Sequence, residues 1–513
     1  MLSPRKSPKL ASGGLTKGSP GISARPVTAR PGTERPGDKR PGDKGPDALG
    51  TSRQSLSTLA YLALVAVPAV ATVLLLRHGG GSGAGGHARE HSAYDPFAGL
   101  LIAVPVILAV CHLAGTALRR LSQPAVIGEI LGGILLGPSA LGVVWPQALR
   151  WLFPARLVPA LNVLAQLGLI FFMFLVGYEL NLLLVRRRSR AALVVSNAGI
   201  AIPLLCGTGV ALAAYHSLAP KGVSYPVFAL FLATSMSITA FPVLARILAD
   251  RGMSHTPLGS TALTCAAIDD ITAWCLLSLV LALIHGGSPA GAARTALFAL
   301  GFFAGMALVI RPLLARLLTA GQDQRRAVPD SAVLPILLGG VMLSALATSA
   351  IGIHPIFGAF LFGAVTPRGS LRIEQTTDRL RGLTSTLLLP LFFAYTGLRT
   401  QIGLLGADPR LWWWCLLILV AASTGKQLGC ALAARATGLG WQESASLGVL
   451  MNCRGMTGLI VLNIGLDFKL ITPTMFTMLV VMALVTTVLT GPGLSLVARL
   501  ARLRAGRVGG AEL

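Results

Sequence analysis

From Pro96 onward the chain is a succession of apolar runs, each near bilayer length and separated by short, mostly basic loops. A helix needs about 20 apolar residues to cross the hydrocarbon core. Backbone polar groups find no partners in lipid, so each run must satisfy its own as a helix. The runs fall at about 97–118, 125–143, 159–184, 191–214, 226–248, 258–284, 293–318, 331–351, 353–366, 383–399, 411–434, 442–465 and 472–498. The chain is therefore expected to be an all-α polytopic membrane protein of about thirteen spans. Composition agrees: 53% of residues are hydrophobic, 12% are charged, and the mean hydropathy is +0.71.

What precedes Pro96 is different. Residues 1–55 are rich in Pro, Gly, Ser, Lys and Arg, with a near-repeat over Arg35–Gly45. With few apolar residues to form a core, they are expected to be a disordered basic tail. Residues 56–76 form an additional apolar run behind that basic segment, as a signal peptide would. The leader is too long and no small-x-small site precedes a soluble domain, so an extra N-terminal transmembrane helix is expected. Residues 77–95 read as a linker, whose His78, His87 and His91 are too irregularly spaced to argue for a metal. Residues 96–500 make the membrane domain and 501–513 a short tail.

The formal charge of +24 invites a nucleic-acid reading. The basic residues cluster instead in alternate loops, at Arg119/Arg120, Arg186–Arg188, Arg246/Arg251, Arg311/Arg316, Arg368/Arg372 and Arg499/Arg502. Those loops outnumber the opposite set in Lys and Arg by more than two to one. That is the positive-inside pattern of a multi-pass protein of the cell membrane with both termini cytoplasmic, and no nucleic-acid partner is needed. The seven cysteines all fall within apolar spans without a CxxC pair, and read as small hydrophobes.

One span breaks the apolar rule at its centre. Asp269 and Asp270 stand side by side, with about ten mostly apolar residues on each side. Each costs roughly 2.5–3.5 kcal/mol at the middle of an inserted helix. Neighbours on a helix point about 100° apart, so one carboxylate can face a partner helix and the other a cavity. Like charges this close are coupled in protonation to each other and to any bound cation. That is the chemistry of proton–cation exchange.

Three other spans carry matching features. In Ser237–Arg246, Pro242 lacks an N–H and should unwind the helix near Thr239–Phe241. The freed carbonyls and the Ser237 and Thr239 hydroxyls are natural cation ligands. In Asn452–Leu459, Gly455 and Gly458 surround a membrane-buried Arg454. Broken helices in corresponding positions of two halves are a pointer to a transporter site. Lys426 lies well inside its own span, and a buried ammonium needs an anion, for which Asp269 is the obvious candidate. Glu129 and Glu179 lie nearer the ends of theirs. They either line a cytoplasmic funnel or pair with loop arginines. His354, before Pro355, reads as a helix-start residue.

These residues fall in recognisable motifs: Gln123-Pro124, Gly128-Glu129, Gly133, Gly137-Pro138-Ser139, Phe172–Gly177, Ser237–Arg246, Asp269-Asp270, Leu389–Phe393, Gly425-Lys426 and Arg454-Gly455. In that order they resemble the monovalent cation:proton antiporter-2 family, relatives of the NhaA and NapA sodium/proton antiporters, over about residues 96–500. The resemblance implies a thirteen-helix antiporter fold with two inverted repeats, two broken helices crossing beside the Asp pair, a mobile core domain and a dimerisation domain. By position Asp270 resembles the carboxylate that binds the transported cation and the proton. Asp269 resembles the neighbour paired with the lysine, and the segments around Thr239 and Arg454 resemble the crossing breaks. Many Kef-type relatives carry a nucleotide-binding domain after the last span, whereas here the sequence runs to Leu513 without a GxGxxG fold.

The expectation is a secondary antiporter that exchanges Na⁺ or K⁺ for H⁺ by alternating access, a homodimer in the bilayer, with no resident metal or cofactor. A gated cation channel or efflux system without proton coupling is the alternative. The Asp269/Asp270–Lys426 arrangement and the lack of a repeated filter-like loop weigh against it. An intramembrane enzyme would need a nucleophile–base pair or metal ligands. No HExxH, and no GxSxG in a convincing context, is present.

Overall fold

A computed structural model describes residues 96–509 apart from 122, 180–189, 255, 286–288, 320–328 and 407. The basic tail, the extra N-terminal helix and the linker lie outside the described residues, as do residues 510–513 of the short C-terminal tail. Every regular element among the described residues is helical. Setting short turns aside, these are α1 (Pro96–Arg120), α2 (Ala125–Leu136), α3 (Val158–Glu179), α4 (Arg190–Leu218), α5 (Tyr225–Ser237), α6 (Phe241–Asp250), α7 (Pro257–His285), α8 (Pro289–Gly305) and α9 (Arg311–Thr319). There follow α10 (Asp330–Ile351), α11 (Pro355–Val365), α12 (Leu371–Leu383), α13 (Leu389–Arg399), α14 (Pro409–Ala436), α15 (Trp441–Met451), α16 (Met456–Asp467) and α17 (Pro473–Gly509).

Local sequence sets many of the boundaries. Pro257, Pro355, Pro409 and Pro473 each stand at a helix start, where the missing N–H costs nothing. The Asp408 carboxylate caps α14 by accepting the Arg410 N–H at 2.9 Å. Gly352 ends α10 in the left-handed region, at φ 92°.

Among the described residues, eleven helices are long and apolar enough to cross a membrane, or twelve with the bent pair α15–α16. The thirteenth expected span, at 353–366, is α11, an eleven-residue helix. At 1.5 Å per residue it is about 16 Å long, half of a bilayer core. The expected span at 383–399 also differs. Its helix begins at Leu371, and a π-helical turn at Thr384–Leu388 joins α12 to α13. A second π-turn, Met306–Ile310, joins α8 to α9.

The helices sort into two modules. One, the scaffold module, packs α1, α2, α3, α10, α11, α12 and α13 on one another. The other packs α4, α5, α6, α7, α14, α15, α16 and α17. Helix α8 touches α7 on one side and α10 on the other, and the π-turn that follows it touches α11. The second module repeats one order twice: whole helix α4, broken span α5–α6, whole helix α7, then α14, broken span α15–α16, α17. It is called the crossed-helix module below.

Candidate ion-binding site

The two breaks meet at the centre of the crossed-helix module. Residues 238–240 interrupt one span and 452–455 the other. The Ala240 N–H donates to the Cys453 carbonyl at 3.0 Å, so each break satisfies part of the other's backbone. Pro242 sits in the first turn of α6, which accounts for the unwinding before it. Gly455 is needed for the close approach: a Cβ there would meet Val243 Cγ2 at 2.5 Å.

Asp269 and Asp270 lie on α7 beside this crossing, each 1% exposed. Asp269 is fully engaged. Its Oδ1 accepts from the Ser196 hydroxyl of α4 at 2.5 Å. Its Oδ2 accepts from Lys426 Nζ of α14 at 2.6 Å, the pair expected from sequence. The same Oδ2 lies 2.8 Å from the Thr239 hydroxyl, which is also 2.9 Å from the Met451 carbonyl. That hydroxyl has one proton and donates to one of the two at a time. Asp270 is different. The Phe241 backbone at the start of α6 lies near its carboxyl group. Its Oδ1 is buried without a partner.

The charges also complete the helix ends that the breaks expose. A helix leaves its last four carbonyls unpaired, and its C-terminus attracts cations. The carbonyl end of α5 receives two: Lys426 Nζ donates to the Ser237 carbonyl at 2.7 Å, and Arg454 donates to those of Ser235, at 3.1 Å, and Met236. Arg454 reaches the Ala422 carbonyl of α14 as well, at 3.2 Å. The N-terminal end of α6, at Phe241, faces the Asp270 carboxyl instead, the polarity that suits an anion.

Ser237 thus contributes its carbonyl to the lysine. Its hydroxyl lies 2.7 Å from the Ala233 carbonyl, bonding back along its own helix. Glu129 is half-buried on α2, within electrostatic range of Arg119 and Arg246. Those arginines line a cavity of about 600 Å³ with Gln123, Asp250 and Arg251. Glu179 is elsewhere: it pairs with Arg381 at 2.9 Å within the scaffold module. His354 caps α11 by accepting the Ile356 N–H through Nδ1.

Three residues at the site had no assigned role in the sequence. Ser196 is one of three Ser and Thr hydroxyls in a mostly apolar helix, which gives no signal. Thr487 of α17 accepts the Arg454 N–H at 3.1 Å, steadying the second break. Asn452 lies in that break, and its Oδ1 is buried without a partner. Among the described residues no cluster of His, Cys, Asp or Glu could hold a resident metal.

A polytopic helical protein with two broken spans crossing beside a buried, lysine-paired carboxylate is built as a membrane transporter. This chain belongs to the family described as "Sodium/hydrogen exchanger, transmembrane", which its residues 106–500 match. It is similar to the Na(+)/H(+) antiporter NhaS4 of Synechocystis, 42% identical over 394 residues, covering 77% of this chain and 95% of that protein. It is 41% identical to cation/H(+) antiporter 20 of Arabidopsis thaliana over 77% of this chain, and 33% identical to K(+)/H(+) antiporter 1 of Saccharomyces cerevisiae over 79%. It spans about half the length of those two, 48% and 47%. The fold resembles that of the sodium proton antiporter MjNhaP1 from Methanocaldococcus jannaschii, with a TM-score of 0.56 at 17% identity, covering 79% of this chain and 97% of that one. The protein is thus a multi-pass cation/proton antiporter, as its motifs implied.

Proposed function

We propose that Asp270 is the carboxylate loaded in turn by Na⁺ or K⁺ and by H⁺, with Asp269 and Lys426 holding the site in shape. The carrying observation is the contrast between the two aspartates. Both oxygens of Asp269 are already used by Ser196, Thr239 and Lys426. Asp270 keeps one buried oxygen unpartnered, and a buried acceptor without a partner is costly. A cation or a proton on that oxygen removes the cost, and the two compete for it. Asn452 Oδ1, in the adjoining break, is also buried without a partner and would serve as a neutral ligand.

The charged network of the crossed-helix module is closed on itself, so the module can carry the site past the scaffold as one body. Access then alternates between the two membrane faces. We assign the end bearing Arg119, Arg246 and Arg251 to the cytoplasm of the cell, with both termini on that side. Two copies associate through their scaffold modules. The chemistry is transport alone, with no covalent step. Each charge carried through 100 mV is worth about 2.3 kcal/mol, so an unequal exchange is driven by voltage as well as by gradients.

The test is proton flux in proteoliposomes with an internal pH dye, adding Na⁺ or K⁺ in turn. The wild type should show a cation-triggered pH change, and Asp270→Asn should abolish it while remaining folded. Cation flux without a pH change, or full exchange in Asp270→Asn, would reject the mechanism in favour of a channel.

A further inference from the structure

The seam between the two modules is open at one end and shut at the other. At the proposed cytoplasmic end, the cavity of about 600 Å³ has Arg119, Gln123 and Pro124 of the scaffold on one wall. Arg246, Asp250 and Gly491 of the crossed-helix module form the other. A separate cavity of about 10 Å³ lies where Val126, Ile127 and Ile130 face Val243 and Leu459. Where α13 meets α16 there is a cavity of about 20 Å³. Its walls carry Asn162, Tyr395 and His354 from the scaffold side, and Ile464, Asn463 and Asp467 from α16. A space that size holds about one water.

What shuts that end is a polar network crossing the seam. Arg399, the last residue of α13, pairs with Asp467, the last residue of α16, at 2.7 Å. The same Arg399 Nη1 donates to Asn463 Oδ1 at 3.2 Å. Asn463 Nδ2 in turn donates to the Thr396 hydroxyl of α13 at 3.0 Å. Arg399 also lies over the Tyr395 ring, 5.2 Å from its centroid, which fixes the guanidinium on its own helix. Two residues further along the chain, the Gln401 N–H donates to the Thr477 hydroxyl of α17 at 3.2 Å. Asn463 and Thr396 are buried. The open end has a thinner bond across the seam, from Gln123 Nε2 to the Val488 carbonyl at 3.4 Å.

We propose that Arg399, Asp467 and Asn463 form the outer latch of the transport cycle. The pair holds the crossed-helix module in the position that faces the cytoplasm, and it must part before the site can open outward. When it parts, the small polar cavity beneath becomes the outer passage, and Asp467 becomes a free carboxylate at its mouth. Arg399 therefore acts as a positioning residue, occupying with its own charge the carboxylate that an arriving cation meets first. This rests on the two-module motion proposed above.

The test reads the cavity directly. Cys275 is the one exposed native cysteine, so Cys275→Ser is the background. Ile464 is 2% exposed and lines the shut cavity, so Ile464→Cys reports opening to a membrane-impermeant maleimide added on the Arg399/Asp467 side. Adding Asp467→Asn should speed labelling about twofold to fivefold, the range for a partly exposed ion pair. Combining Arg399→Asp with Asp467→Arg should return the rate toward that of the intact pair. A short bifunctional maleimide joining Arg399→Cys to Asp467→Cys should arrest exchange. Labelling indifferent to Asp467→Asn, or full exchange through the cross-link, would overturn the latch. Cation-driven proton flux is measured in the same vesicles before labelling. If that flux is absent, the antiport mechanism fails; if it is present and labelling does not respond, the latch alone fails.

Discussion

The scaffold and the crossed-helix module both pack through small residues, and they differ in where they keep their charges. In the scaffold, helices approach until backbone meets backbone. A Cβ on Gly177 would sit 2.0 Å from the Phe360 carbonyl, and one on Gly133 2.1 Å from that of Phe393. Lipid offers no hydrophobic force between helices, so such small-residue contact is what holds a bundle in a membrane. The scaffold's ion pairs, Arg381–Glu179 and Arg372–Asp330, lie at helix ends in partly exposed positions. The crossed-helix module keeps its charges at membrane depth instead. Lys426, Asp269, Asp270 and Arg454 are all buried, and every hydrogen-bond partner described above for them belongs to the same module. The buried charges are compensated inside the crossed-helix module, whereas the pair that crosses the seam, Arg399–Asp467, is partly exposed.

The largest effect should come from breaking that compensation. Lys426→Met leaves Asp269 as a buried carboxylate without its cation and leaves the Ser237 carbonyl without its donor. Removing one partner of a buried pair costs about 3–5 kcal/mol. Thermal unfolding of the purified protein in detergent should show that loss, with Asp269→Asn in the same chain recovering most of it. A Lys426→Met protein as stable as the wild type would mean that the crossed module is held mainly by packing, as the scaffold is.

Much of that module was legible in the sequence, and for one reason. A charge, a proline or a paired glycine inside an apolar run is costly unless it is used. Asp269, Asp270, Lys426, Arg454 and Pro242 therefore stood out, and the structure brings them to one place. Cheap residues did not stand out. Ser196 and Thr487 hold Asp269 and Arg454, yet a hydroxyl in a membrane helix usually bonds its own backbone and signals nothing. Ser237 is expected as a cation ligand through its hydroxyl or a freed carbonyl; in the structure its carbonyl accepts from the lysine and its hydroxyl bonds back to Ala233. The short helix α11 was illegible because hydropathy reports where apolar residues are, not how far the helix continues. The sorting into modules depends on contacts between distant helices, which no local pattern encodes.

The scaffold gives a middle-sized effect with a different signature. Gly177→Val would drive a side chain into the Phe360 carbonyl, and overpacking of this kind costs about 1–3 kcal/mol. The melting temperature should fall, while the protein that remains folded keeps the same cation dependence and the same number of cations per proton. A changed coupling ratio in Gly177→Val would show that the scaffold shapes the ion site after all, and the division of labour between the modules would have to be redrawn.

The smallest effects should separate two glutamates that the sequence treated alike. Glu179 and Arg381 have side chains 40% and 45% exposed, and Arg381 is shared with Asp378. A pair so open to solvent contributes about 0.2–1 kcal/mol, and less in high salt. Glu179→Gln should therefore shift the melting temperature slightly and leave the cation concentration for half-maximal exchange unchanged. Glu129 stands on the seam side of the same module, near the arginines of the open cavity. Asp250 already pairs with Arg246 in that cavity, and Glu129 is a second carboxylate in range of Arg119 and Arg246 that would offset their repulsion of an arriving cation. Glu129→Gln should raise the half-maximal cation concentration a few-fold in low salt and by less in high salt, since screening weakens the arginines as well. If Glu179→Gln has the larger effect on exchange, ions reach the site through the scaffold end that Arg381 now covers, and the seam is not their route.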